Sequence, residues 1–208
     1  MTMKFLARYN LYIFTAIGLA IGIYTLIAWP SMPVLQRATG LMSLAVVLHL
    51  WEEGRFPGGF TDLIANKLNF TAKSRHFGEI VTGILVIVVL FIPFFFPQIV
   101  FMQVAALYLG FLEAFAHVAA IGIFRLKKPY SPGMLTAVVL MLPIAITGIV
   151  IGSQQGLIDG LDYLWAGLYL ILALAIAQFT VVRSSGMPYS EFLGNIAKNI
   201  KGTPPTVQ

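Results

Sequence analysis

The feature that most constrains this chain is a succession of six apolar stretches, each close to the length that crosses a bilayer. They run over roughly 9–29, 36–53, 77–96, 99–124, 132–152 and 163–182. About 20 helical residues at 1.5 Å each cover the hydrocarbon of a membrane. Hydrocarbon offers the backbone no hydrogen-bond partner, so such stretches must be helical. The expected fold is therefore all-α, a polytopic membrane bundle of about six transmembrane helices. The breaks carry matching punctuation: Pro30 and Pro33, Pro57-Gly58-Gly59, Pro97, Pro132-Gly133, and Gly156 to Gly160. Only 10% of the 208 residues are charged, against roughly 25% in soluble domains. The spans leave no length for a large extramembrane catalytic domain. Residues 1–182 read as one six-span membrane domain, and 183–208 as a cytoplasmic tail with a short amphipathic helix.

The cations settle the expected orientation. Lys4 and Arg8 precede the first span; Arg55, Lys67, Lys73 and Arg75 fill the second loop; Arg125, Lys127 and Lys128 fill the fourth; Arg183, Lys198 and Lys201 follow the last span. Only Arg37 falls on the other side. The positive-inside rule then makes both termini cytoplasmic. The net charge of +5 is a topology signal, with attraction to anionic lipid as a second use, and nucleic acid is not needed as a partner. The first span is too long for a signal-peptide core and Ala28-Trp29-Pro30 is a poor cleavage site, so it reads as a retained anchor. Two amphipathic stretches are expected on the cytoplasmic face: about 61–70, with Thr61 or Asp62 as N-cap, and a second after Ser190. Gly18 and Gly22 permit close helix packing, within the chain or in a homo-oligomer.

The polar minority carries the chemistry. The chain has three histidines, and each lies three or four residues from a glutamate: His49 with Glu52 and Glu53, His76 with Glu79, and Glu113 with His117. On a helix this spacing places both side chains on one face, one turn apart. Single helices of carboxylate-bridged di-iron bundles offer an imidazole and a carboxylate to a metal in this way. In the expected topology all three pairs fall in the cytoplasmic half. Counting back from Arg125, His117 is ~12 Å and Glu113 ~18 Å along its helix. A charge near the bilayer centre costs about 2.5–3.5 kcal/mol, so Glu113 is expected to be neutral, paired or metal-bound.

His49-Leu50-Trp51-Glu52-Glu53, closing an early span, resembles the signature of the HXXEE-motif integral membrane proteins, a bacterial family of uncharacterised function. A second feature of that family is a later helix with a histidine, then a basic residue and an aromatic-x-Pro-Gly turn. Here it reads Glu113 to His117, Arg125 and Tyr130-Ser131-Pro132-Gly133. The resemblance covers about residues 35–152, with positions 113 and 131 departing from the asparagine frequent in the pattern. It implies a bacterial inner (plasma) membrane protein and leaves the function open.

Imidazole and carboxylate ligands suit a divalent metal, iron or zinc, with manganese as a third choice. With no cysteine in the chain, thiolate sites, disulfides and iron–sulfur clusters are excluded. Three histidines and up to four carboxylates exceed the needs of one four-coordinate zinc, which favours a dinuclear centre. Such a centre suits oxygen-dependent oxidation or hydroxylation of a lipid-like substrate with iron, or its hydrolysis with zinc. Glu53 is the expected general base, and Arg125 a contact for an anionic head group. The turn at 130–133 is expected to be only a turn, with Pro132 at the helix start. Two other readings use the same residues. One is a proton or metal-ion carrier, disfavoured by the apolar outer half. The other is a non-enzymatic subunit binding a pigment, quinone or partner helix.

Overall fold

The computed structural model describes residues 3–70 and 75–203, with side chains over 8–70 and 77–203. These residues are all-helical. Six helices are long and apolar enough to cross a membrane, within about two to three residues of the expected limits. They are α1 (Met3–Ile27), α2 (Val34–Gly54), α4 (beginning Arg75–Val86), α5 (Val100–Ile123), α6 (Met134–Gln154) and α7 (Gly160–Ser184). Two short amphipathic helices complete the set, α3 (Phe60–Lys67) and α8 (Tyr189–Lys201). Both were expected, but the cap of α3 is Gly59, in left-handed conformation at φ 93°, rather than Thr61 or Asp62.

The 55–70 and 125–133 loops, α8 and the early part of α1 gather at one end of the bundle, with the ends of α2, α5 and α7. Contacts tie this basic end together. Asn195 and Asn199 of α8 donate to the carbonyls of Leu68 and Lys67 at the end of α3, each at 2.8 Å. Tyr12 meets Trp51 edge-on at 5.5 Å. At the far end, Arg37 donates to Met32 O (2.7 Å) and lies over the Trp29 ring.

The core is formed by α2, α4, α5 and α6, with Met42, Leu90, Phe94, Leu107 and Met141 fully buried. Gly18 and Gly22 are taken up inside the chain. A β-carbon on either would collide with Val47 or Leu44 of α2, so the pair serves α1–α2 packing and offers no free dimer face. Two spans carry a π-helical turn two residues before a proline: Ile87–Phe91 before Pro93 in α4, and Ala137–Met141 before Pro143 in α6. Proline cannot donate a backbone hydrogen bond, and a π turn accommodates the break. In α4 the Tyr169 hydroxyl donates to Val88 O (2.7 Å) beside the break. At the other π turn, Gly110 lets α5 approach closely, since a β-carbon there would press on Met141 O.

Candidate metal centre

Helical spacing of four residues puts His49 and Glu53 on one face of α2, and Glu113 and His117 on one face of α5. The structure turns these faces toward each other near the basic end. The imidazoles lie edge to face, 5.0 Å between centroids, and are almost fully buried, His49 at 3% and His117 at 0% exposure. Their Nε2 atoms point at the carboxylates. His117 Nε2 is 3.3 Å from Glu53 Oε1 and 3.7 Å from Glu113 Oε2. His49 Nε2 is 3.7 Å from both of the same oxygens.

What aims these nitrogens is the turn opening α6. His49 Nδ1 lies 3.0 Å from Gly133 O, and a carbonyl only accepts, so Nδ1 carries the proton. Ser131 Oγ donates to His117 O and lies 3.0 Å from His117 Nδ1. With its hydrogen committed, that hydroxyl accepts, and His117 too is protonated at Nδ1. In the neutral form of each ring, Nε2 then presents a lone pair. Gly133 sits at φ 102°, and a β-carbon there would collide with both rings. The position needs glycine for its backbone and for its space.

These donors fit a metal. Among the described residues, His117 Nε2 is the one buried side-chain nitrogen or oxygen without a hydrogen-bond partner. Buried polar atoms are nearly always paired, so an orphan asks for an explanation, and an ion is one. Ligand atoms of His49, Glu53 and His117 all lie within 4.8 Å of one another. The nitrogen–oxygen separations of 3.3–3.7 Å approach the roughly 3.3–3.6 Å edge of a ligand tetrahedron around zinc. Three of the four, at 3.7 Å, are too long for ordinary hydrogen bonds. Each histidine also has the Nδ1 partner that metal-binding imidazoles use to fix ring orientation.

The other expected residues fall elsewhere. Glu52 is not brought to the cluster. Its oxygens accept from Tyr130 OH (2.6 Å), Leu135 N (3.0 Å), Thr136 N (2.8 Å) and Thr136 Oγ1 (2.5 Å). Burial, and then this carboxylate, push the Tyr130 phenol up to about 12. Glu79 accepts from Asn10 of α1 at 3.3 Å. The His76 side chain lies outside the described residues, as does Lys73. Arg125 is exposed, with left-handed φ 48°, and its guanidinium lies against Gly202 at the end of α8. Pro132 is not at the helix start: the helix begins at Met134, after Gly133. The turn is thus more than a turn, and Ser131, Gly133 and Thr136 are the site residues that sequence reasoning missed. The one available signal was Tyr130-Ser131-Pro132-Gly133 itself. Phe60, the first residue of α3, was also unforeseen; its ring packs 4.6 Å from that of His117.

The carboxylates, at 20% and 24% exposure, are the open side of the cluster. They face a cavity of about 50 Å³ whose walls include Val46, Leu50, Leu85, Val86 and Leu109.

His49, Glu52 and Glu53 occupy the motif positions of a family model described as a protein of unknown function with HXXEE motif, which matches residues 40–147. The chain belongs to the HXXEE family. The matched segment holds every residue of the His/Glu cluster and the turn that orients it. No curated protein and no solved structure matches the chain. In this HXXEE protein the motif reaches two places: His49 and Glu53 face the cluster, while Glu52 faces the turn.

Proposed function

We propose that this HXXEE protein is a metal-dependent membrane enzyme that acts on a lipid-like substrate from the cytoplasmic side. The observation that carries the reading is the orphaned, fully buried Nε2 of His117 facing two carboxylates. His49, His117, Glu53 and Glu113 would hold the metal, iron or zinc. Ligand atoms of His49, Glu53 and His117 lie within 4.8 Å of one another and make one position, so about one ion per chain is expected; a dinuclear centre would call on His76 and Glu79 as well. A divalent cation there supplies Lewis acidity, with hydrolytic chemistry suited to zinc and oxygen chemistry to iron.

The chain's own groups divide the remaining tasks. His49 and His117 keep their protons on Nδ1 and leave Nε2 free. As a ligand, Glu53 would not be free to serve as the general base as well. The apolar walls exclude bulk water, and receive the apolar part of a substrate arriving from the bilayer. The cavity accommodates a few waters or a small reactive end rather than a whole lipid. The cation distribution supports an N-in, C-in orientation in a bacterial inner membrane.

Elemental analysis of untagged, detergent-purified protein tests the reading. About one iron or zinc per chain, falling close to zero in Glu113→Gln and in His117→Ala, is the expected result. Metal-free protein that also fails to take up added iron or zinc would overturn it and leave the pairs as structural or proton-handling groups.

A further inference from the structure

The two glutamates of the motif are neighbours in sequence, yet they receive different partners. Glu53 faces the imidazoles. Glu52 is turned to the start of α6, where it does what an N-cap side chain does. Gly133 is the N-cap of that helix and has no side chain to offer. The N–H groups two and three residues on, Leu135 and Thr136, would otherwise lack acceptors, as the first turn of any helix does. Glu52 supplies both oxygens from a different helix and adds the hydroxyls of Tyr130 and Thr136. Its negative charge lies at the positive end of the α6 dipole. With four donors and that field, Glu52 is compensated without a metal.

We propose that Glu52 is a positioning residue: it clamps the 130–136 turn so that Gly133 O and Ser131 Oγ hold both imidazoles with Nε2 directed at the metal position. The link is short. Thr136 Oγ1 bonds Glu52, lies 3.2 Å from Gly133 O and is 3.1 Å from His49 Nδ1. Gly133 O and Ser131 Oγ, two residues apart, serve one histidine each. Loosening the clamp therefore releases both rings together, though Glu52 touches neither. The motif divides into ligands, His49 and Glu53, and an organiser, Glu52.

Two readouts test this, and only the first rests on the metal reading. The first is titration of the purified protein with cobalt(II), whose visible spectrum reports its ligands. Glu52→Gln is expected to weaken cobalt binding by about 10–100-fold, the usual effect of losing an orienting partner. The saturated spectrum should stay that of the wild type, whereas Glu53→Gln should change the spectrum itself. The second readout needs no metal. Nitrogen NMR of histidine-labelled protein should show His49 and His117 as Nδ1-protonated tautomers in the wild type and as mixtures in Glu52→Gln. Tyr130→Phe, which removes one of the four bonds and keeps the ring, should move both readouts the same way by less, and serves if Glu52→Gln does not fold. Unchanged tautomers and affinity would overturn the proposal, as would a spectrum altered by Glu52→Gln in the manner of Glu53→Gln. Wild type that takes up no cobalt but shows the expected tautomer change would overturn the metal reading and support the clamp.

Discussion

Two buried polar clusters lie at opposite ends of this bundle, and they differ in one respect. At the far end, Thr39 and Gln103 are fully buried between α2 and α5. Gln103 Nε2 donates to the Pro93 carbonyl and lies 3.5 Å from Phe96 O, while its Oε1 is 2.7 Å from the Thr39 hydroxyl. Gln36 adds a bond to Phe94 O at 2.9 Å. This cluster satisfies itself and pins the kinked end of α4. At the basic end, His49 and His117 have hydrogen-bond partners on their Nδ1 side, and the fully buried Nε2 of His117 has none. Burial alone does not mark function, since both clusters are buried. The unmet hydrogen-bonding capacity does, because an apolar interior makes an unpaired polar atom costly. Fully paired, a buried polar network rigidifies; left open on one side, it has room for a ligand.

The contrast can be broken or sharpened by substitution. The largest effect is expected from removing a donor at the open cluster. His117→Ala should bring metal content close to zero by elemental analysis while the helical circular dichroism signal persists. Next is Gly133→Ala, which places a methyl against both imidazoles at a left-handed position. It should lower thermal stability by roughly 1–3 kcal/mol through backbone strain, and metal content with it. At the closed cluster, Gln103→Leu strands the Pro93 carbonyl. It should cost about 1–3 kcal/mol in chemical denaturation and leave metal content unchanged. If Gln103→Leu lowered metal content as His117→Ala does, the division between a structural and a functional cluster would fail.

The smallest effect concerns pH. The Tyr130 phenol is raised from its ordinary 10 to about 12 in the fold, so folding favours its protonated form. That contribution is fully present below pH 10 and is lost as pH rises from 10 to 12. Thermal melts of wild type and Tyr130→Phe should differ below pH 10, and the gap should shrink above it. A gap that stays constant to pH 12 would show that the Tyr130–Glu52 bond does not titrate with this phenol.

Much of the architecture was legible before any fold was known. Six spans follow from apolar length, because a backbone in hydrocarbon must bond within its own helix. The i,i+4 spacing determined that His49 shares a helix face with Glu53, and Glu113 with His117. That the histidine–glutamate faces of α2 and α5 would meet was expected from their common depth in the bundle, and His49, Glu53 and His117 do meet. The role of the turn was not legible, because its serine and glycine look like ordinary loop residues until they meet a histidine from another helix. Gly18 and Gly22 show the same limit: their spacing announces close packing, and only the fold names the neighbour as α2.

Glu52 and Glu53 mark the boundary most sharply. Three and four residues after His49, both satisfy helical spacing, and periodicity has no means of choosing between them. The choice was made by the start of α6, which presents two backbone N–H groups and two hydroxyls to one carboxylate and leaves the other to face Glu113 and the imidazoles. The sequence by itself determined a helical membrane bundle, its breaks and two His/Glu faces, because these depend on local chain length and 3.6-residue periodicity. Only the tertiary structure decided which carboxylate joins the cluster and which holds the turn, because hydrogen bonds between residues some 80 positions apart are set by how helices pack.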